Sequence, residues 1–152
     1  MRVLIIITFI VAFSHDGKAQ CNDELLSMAI NQLTPGYDYV KDIKVRLKKS
    51  KKKGPPITVK QGLIFNKGQT YKVYARNANE FEGKLIFQLH NQKGVQGISY
   101  ANGRHYPKGF TFKCTATGMY YLTYYYENGG EGCSVLVVAV KPTRQEINQY
   151  LD

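Results

Sequence analysis

Few residues in this 152-residue chain are of a type that does chemistry, and their spacing matches no known catalytic or metal-binding pattern. Two histidines lie beyond the first twenty residues. His90 closes the apolar run Leu85-Ile86-Phe87-Gln88-Leu89, and His105 sits in the polar stretch Asn102-Gly103-Arg104-His105-Tyr106. Neither belongs to an H-E-x-x-H pair or lies near a G-x-S-x-G turn, so no zinc-hydrolase or serine-hydrolase signature is present. The acidic pairs Glu80/Glu82 and Glu127/Glu131 are too sparse for a calcium loop. The cysteines form no C-x-x-C. These absences predict a protein that is not an enzyme, with no catalytic residue, metal or cofactor.

Two other residue classes are in excess. Lys44, Arg46, Lys48, Lys49, Lys51, Lys52 and Lys53 concentrate positive charge on one strand face and the loop after it, in a chain of formal net charge +10. Such a patch attracts anionic surfaces and acidic protein faces. Stacking aromatics do not interleave with the lysines, which argues against single-stranded nucleic acid as the partner. Lysines on an edge strand also block sheet-to-sheet aggregation, and the two roles are compatible. Tyrosine is the second excess, with twelve residues and no Trp. In Met119–Tyr126 the alternation puts Tyr120, Leu122, Tyr124 and Tyr126 on one face and Tyr121, Thr123 and Tyr125 on the other. One face must be core. The other, with Tyr121 and Tyr125, is a candidate aromatic contact surface.

The elements that carry these residues follow from the pattern. Met1-Arg2, an apolar run from Val3 to Phe13 and the small-residue site Gly17-Lys18-Ala19 predict a cleaved secretory signal over residues 1–19. The apolar core is too short to span a bilayer. Residues 20–152 then form one exported domain, periplasmic or extracellular, with lipidation at Cys21 as an alternative fate. Leu25, Leu26, Ala29, Ile30 and Leu33 share a helical stripe that Pro35-Gly36 stops. From Tyr39 the period becomes two. Strands are predicted over 39–47, 58–65, 70–76, 83–90, 97–100, 109–114, 119–127 and 133–140, separated by turns rich in Gly, Asn and Lys. Thr143 and Glu146 fit a capping box for a C-terminal helix, which either seals the domain or docks a partner. The expected fold is an all-β, antiparallel, jelly-roll-like sandwich of 7–8 strands with a short helix at each end.

An oxidising compartment predicts one disulfide among Cys21, Cys114 and Cys133. Cys114 and Cys133 flank one strand and should lie on the order of 25 Å apart, against the roughly 4.4–6.8 Å Cα spacing a disulfide needs. Cys21 is therefore the expected partner, with Cys133 preferred over Cys114.

The order of motifs is similar to the bacterial pre-peptidase C-terminal domain, a β-sandwich attached to secreted hydrolases. The stretches are "LIFNKGQTYKVYA" (63–75), "GKLIFQLHNQKG" (83–94) and "GFTFKCTATGMYYLTYYYENGGEGC" (109–133). The chain also resembles small exported proteins of Gram-negative envelopes, through "YVKDIKVRL" (39–47) and the late Gly132-Cys133. That resemblance implies the fold and no activity. It places a cysteine where this chain has Ala75, which implies that Cys114 is the thiol left over. The combined expectation is a non-catalytic accessory or adaptor subunit. It would dock on a larger envelope complex through the basic strand and loop and the tyrosine surface. An anionic lipid or glycan surface is a further possible contact, and a stand-alone carbohydrate- or anionic-glycan-binding module is the alternative.

Overall fold

The computed structural model describes residues 23–51, 54–106 and 108–143. Helix α1 (Asp23–Asn31) precedes strands β1 (Asp38–Leu47), β2 (Val59–Phe65), β3 (Thr70–Asn77), β4 (Leu85–Asn91) and β5 (Gly94–Ile98). A two-stranded hairpin, β6 (Tyr100–Ala101) and β7 (Arg104–His105), is followed by β8 (Phe110–Lys113), β9 (Gly118–Tyr126) and β10 (Gly132–Lys141). The first sheet runs β1-β10-β3-β8 and the second β2-β9-β4-β5, every pairing antiparallel. With the small hairpin set aside, the eight long strands are ordered 1-8-3-6 and 2-7-4-5, a jelly roll. The expected all-β sandwich is the observed fold. The expected signal peptide and C-terminal helix lie outside the described residues.

Period-two alternation builds the core between the sheets. Ile43 and Val45, Leu63 and Phe65, and Tyr71 and Val73 turn inward, to meet Leu85, Phe87 and Leu89, Tyr120, Leu122, Tyr124 and Tyr126, and Leu136 and Val138. Phe65 makes edge contacts with Tyr71, Phe112 and Tyr120 at centroid distances of 4.6, 5.1 and 5.3 Å, a geometry that aromatic quadrupoles favour. Strand β10 is buried on both faces, which is why Val135 to Val140 reads as an unbroken apolar run. Leu136 and Val138 face the second sheet. Cys133, Val135 and Val137 face the other way and join a second core with Leu25 and Ala29 of α1 and Tyr74 of β3.

The helix therefore covers the outer face of the first sheet. Asp23 and Glu24 in its first turn oppose the positive end of the helix dipole, and Leu25 and Ala29, one turn apart, are its buried positions. The Tyr74 hydroxyl donates to the Ala29 carbonyl at 2.8 Å, satisfying a carbonyl near the helix end. Met28 and Ile30 remain exposed, so the buried stripe is narrower than the sequence pattern implies. Cys133 is disulfide-bonded, and it lies in the core beneath this helix. Cys114 is a free, buried thiol of the other core. The expected partner of Cys133, Cys21, lies outside the described residues.

The β6–β7 hairpin turns at Asn102 and Gly103, with φ of 52° and 74°, the left-handed pair that a tight Asn-Gly hairpin turn requires. A period-two search passes over it because each strand is two residues long.

Candidate protein-binding face

Among the described residues no helix lies over the second sheet, and its outer face carries large side chains in the open. In β9 the outward set is Met119, Tyr121, Thr123 and Tyr125. The inward set is Tyr120, Leu122, Tyr124 and Tyr126. Gly62, Tyr121, His90 and Val95 form one row across all four strands, and Ile64 pairs with Met119 in the next. Ile64 is 71% exposed, Val95 57%, Met119 49% and Tyr121 37%. Single exposed apolar side chains are ordinary, whereas contiguous ones mark a contact surface.

The row is held in a defined arrangement. The Tyr121 ring stacks on His90 at 5.8 Å and 30°, and Lys60 Nζ lies 4.1 Å from its centroid, a cation–π contact. Gly62 makes room for Met119: a Cβ there would lie 2.8 Å from the Met119 sulfur. The four strands contain no Asp or Glu. Lys60, with Lys67 and Lys93 in the turns at one end, supplies their positive charge. A groove of about 550 Å³ opens beside Ile64 and Met119, floored by Leu63, Phe65, Tyr71 and Val138 and rimmed by Lys41.

The other predicted site residues fall elsewhere. Lys44 and Arg46 project from β1, an edge strand, opposite to its buried Ile43 and Val45. Lys44 Nζ donates to Asp23 Oδ1 at 2.7 Å. That hydrogen bond holds the Asp23 carboxyl below its usual pKa and the Lys44 ammonium above its own. Lys44 is thus used in tying α1 to the sheet, and solvent screening keeps the pair weak. Lys48, Lys49 and Lys51 are exposed in the following loop, which is anchored by Ser50 N–H to the Gly129 carbonyl at 2.8 Å. Lys52 and Lys53 lie outside the described residues. The outward side of β1 is the α1 side of the first sheet, whereas Tyr121 faces out from the second, so these basic and aromatic groups do not form one surface. The cation that meets Tyr121 is Lys60, and Tyr125, beside buried Ile86, is half-buried.

Replacing Lys48, Lys49 and Lys51 together by Ser should move the melting temperature by no more than about 2 °C, the range of surface substitutions. A large loss in a thermal melt would make the loop lysines structural.

Of the two histidines, His105 Nε2 lies 3.0 Å from Glu127 Oε2, with the Tyr100 ring 4.7 Å from the imidazole. The contact ties the β6–β7 hairpin to the end of β9. Among the described residues no group of three or more His, Cys, Asp or Glu side chains could hold a metal ion.

No protein-family model matches the chain, and no curated protein matches it. Among solved structures it is similar to Aeromonas hydrophila PliG, a periplasmic lysozyme inhibitor of g-type lysozyme. The TM-score is 0.50 at 15% identity, over 72% of this chain and 91% of that one. At that identity the likeness establishes a shared fold. Among the described residues no helix is long and apolar enough to cross a membrane.

Proposed function

We propose that this chain is an exported, non-catalytic protein-binding module, an accessory subunit that docks on a larger envelope assembly through the outer face of its second sheet. One observation carries the reading. On the first sheet α1 packs over β10 and β3, while the second leaves Ile64, Met119, Tyr121 and Val95 open to solvent. A fold shared with PliG, an inhibitor of g-type lysozyme, supports a protein-binding role. With no carboxylate in the four strands and lysines at one end, the complementary partner presents an apolar centre beside acidic groups.

The test is recovery of tagged protein from its own cell envelope in mild detergent, with co-purified proteins identified by mass spectrometry. A stoichiometric partner is expected. Glu at both Ile64 and Met119 should weaken its binding at least 30-fold, as for a central apolar contact worth about 2 kcal/mol. The melting temperature should hardly change, because both side chains already face water. Recovery of the protein alone, or undiminished binding by the double variant, would overturn the assignment of this face.

A further inference from the structure

A second groove lies on the opposite side of the molecule, where the end of α1 meets the outer face of β3. Its volume is about 740 Å³, within the roughly 300–1,000 Å³ of small-ligand sites. Among the described residues its lining carries three cations, Lys72, Arg76 and Lys108, and no carboxylate. We infer that this groove binds an anionic saccharide, its acidic group held by Arg76 and Lys108 and its hydroxyls by the side-chain amides of the rim.

The geometry separates this from simple compensation of the helix end. A helix C terminus carries about half a negative charge, and the Tyr74 hydroxyl already donates to one of its carbonyls. Lys72 Nζ is engaged by Thr34 Oγ1 and lies 6.0 Å from the Tyr37 and Tyr74 ring centroids. Three cations exceed what one helix end needs. The Arg76 Nε–H is buried and meets no hydrogen-bond acceptor among the described residues, an arrangement that costs free energy unless an acceptor enters. A guanidinium pairs with a carboxylate through two parallel hydrogen bonds, which suits a sugar acid. Asn31, Gln32 and Asn79 supply side-chain amides that both donate and accept, as sugar hydroxyls require. Leu33 and Pro35 give the apolar wall against which the carbon face of a sugar ring packs.

The experiment titrates trigalacturonate, which has a carboxylate on every ring, into isotope-labelled protein, with amide shifts followed by NMR. Maltotriose and inorganic phosphate are the neutral-sugar and non-sugar comparisons. Trigalacturonate should saturate, with shifts confined to residues 31–35, 72–79 and 108. Lys108→Gln with Arg76→Lys should weaken it at least tenfold, and Lys108→Gln alone severalfold if the double variant folds poorly. Replacing Lys48, Lys49 and Lys51 by Ser should leave it unchanged. Shifts scattered over the basic surface, equal loss in the loop variant, or no saturation would overturn the site. Phosphate or maltotriose binding there as tightly would overturn the anionic saccharide. None of these outcomes bears on the face containing Tyr121, on the other sheet.

Discussion

Gly109→Ala should destabilise the protein by about 3 kcal/mol or more. Gly109 precedes β8 with φ of +67°, a conformation costly for any side chain. A Cβ there would also lie 1.9 Å from the Val73 carbonyl oxygen and 2.6 Å from the Tyr74 Cα. Both are backbone atoms of β3, the strand with which β8 pairs, so relief requires the two strands to separate locally. At several degrees per kcal/mol for a domain of this size, the melting temperature should fall by about 10 °C or more. Gly36→Ala supplies the comparison. Its φ is +81°, but nothing lies within 4 Å of the added Cβ, so only the backbone cost of about 1–2 kcal/mol applies. Equal losses in the two variants, measured by denaturant unfolding, would show that the close approach of Gly109 to β3 contributes nothing.

The second large effect is alkaline unfolding. Tyr126 is buried in the sandwich. Its hydroxyl contacts Ser134 Oγ at 2.8 Å and donates to the Val45 carbonyl at 3.3 Å, while Ser134 Oγ donates to Asn77 Oδ1 at 2.7 Å. Burial pushes the Tyr126 hydroxyl from 10.0 up to about 12, against a smaller opposite effect of Ser134. A group whose pKa is raised on folding stabilises fully below its unfolded value, and that contribution is lost as pH rises through the folded value. Stability should hold to pH 10 and then fall by about 2–3 kcal/mol as pH approaches 12. Tyr74 and Tyr124, raised by burial, and Tyr120, raised chiefly by its hydrogen bond with Cys114, add in the same direction. Tyr126→Phe should start about 1–2 kcal/mol less stable, having lost buried hydrogen bonds, yet lose less between pH 10 and 12. Denaturant midpoints across that range decide the matter. An unchanged slope in the variant would remove Tyr126 from the account.

Much of the architecture was readable in the residues because a strand declares its faces every second position. The Tyr120-to-Tyr126 alternation identified the buried set in β9, and the Ile43/Val45 against Lys44/Arg46 alternation did the same in β1. The candidate contact face was less readable. Leu63-Ile64-Phe65 is apolar at three consecutive positions, and local pattern does not say that Ile64 is the one left in water. Lys60 and His90 gained their place only when β2, β9 and β4 were laid side by side, since cross-strand neighbours are distant in sequence. Likewise, the lysine run was conspicuous as a sequence feature, but Lys44 spends its charge on the Asp23 side chain of α1.

The chain by itself determined a basic β-sandwich, its strand faces and the lack of a catalytic motif, because side-chain periodicity and residue chemistry are local properties. Tertiary structure decided which outer face is covered. Tyr74, Cys133, Val135 and Val137 offer α1 an apolar bed on the first sheet, while among the described residues no helix covers the matching side of the second. It also set the basic groove behind α1, where Lys72 and Arg76 of β3 share one cavity with Lys108 from another segment. Those outcomes depend on which surfaces pack together, and packing is a property of the assembled layers that no single segment encodes.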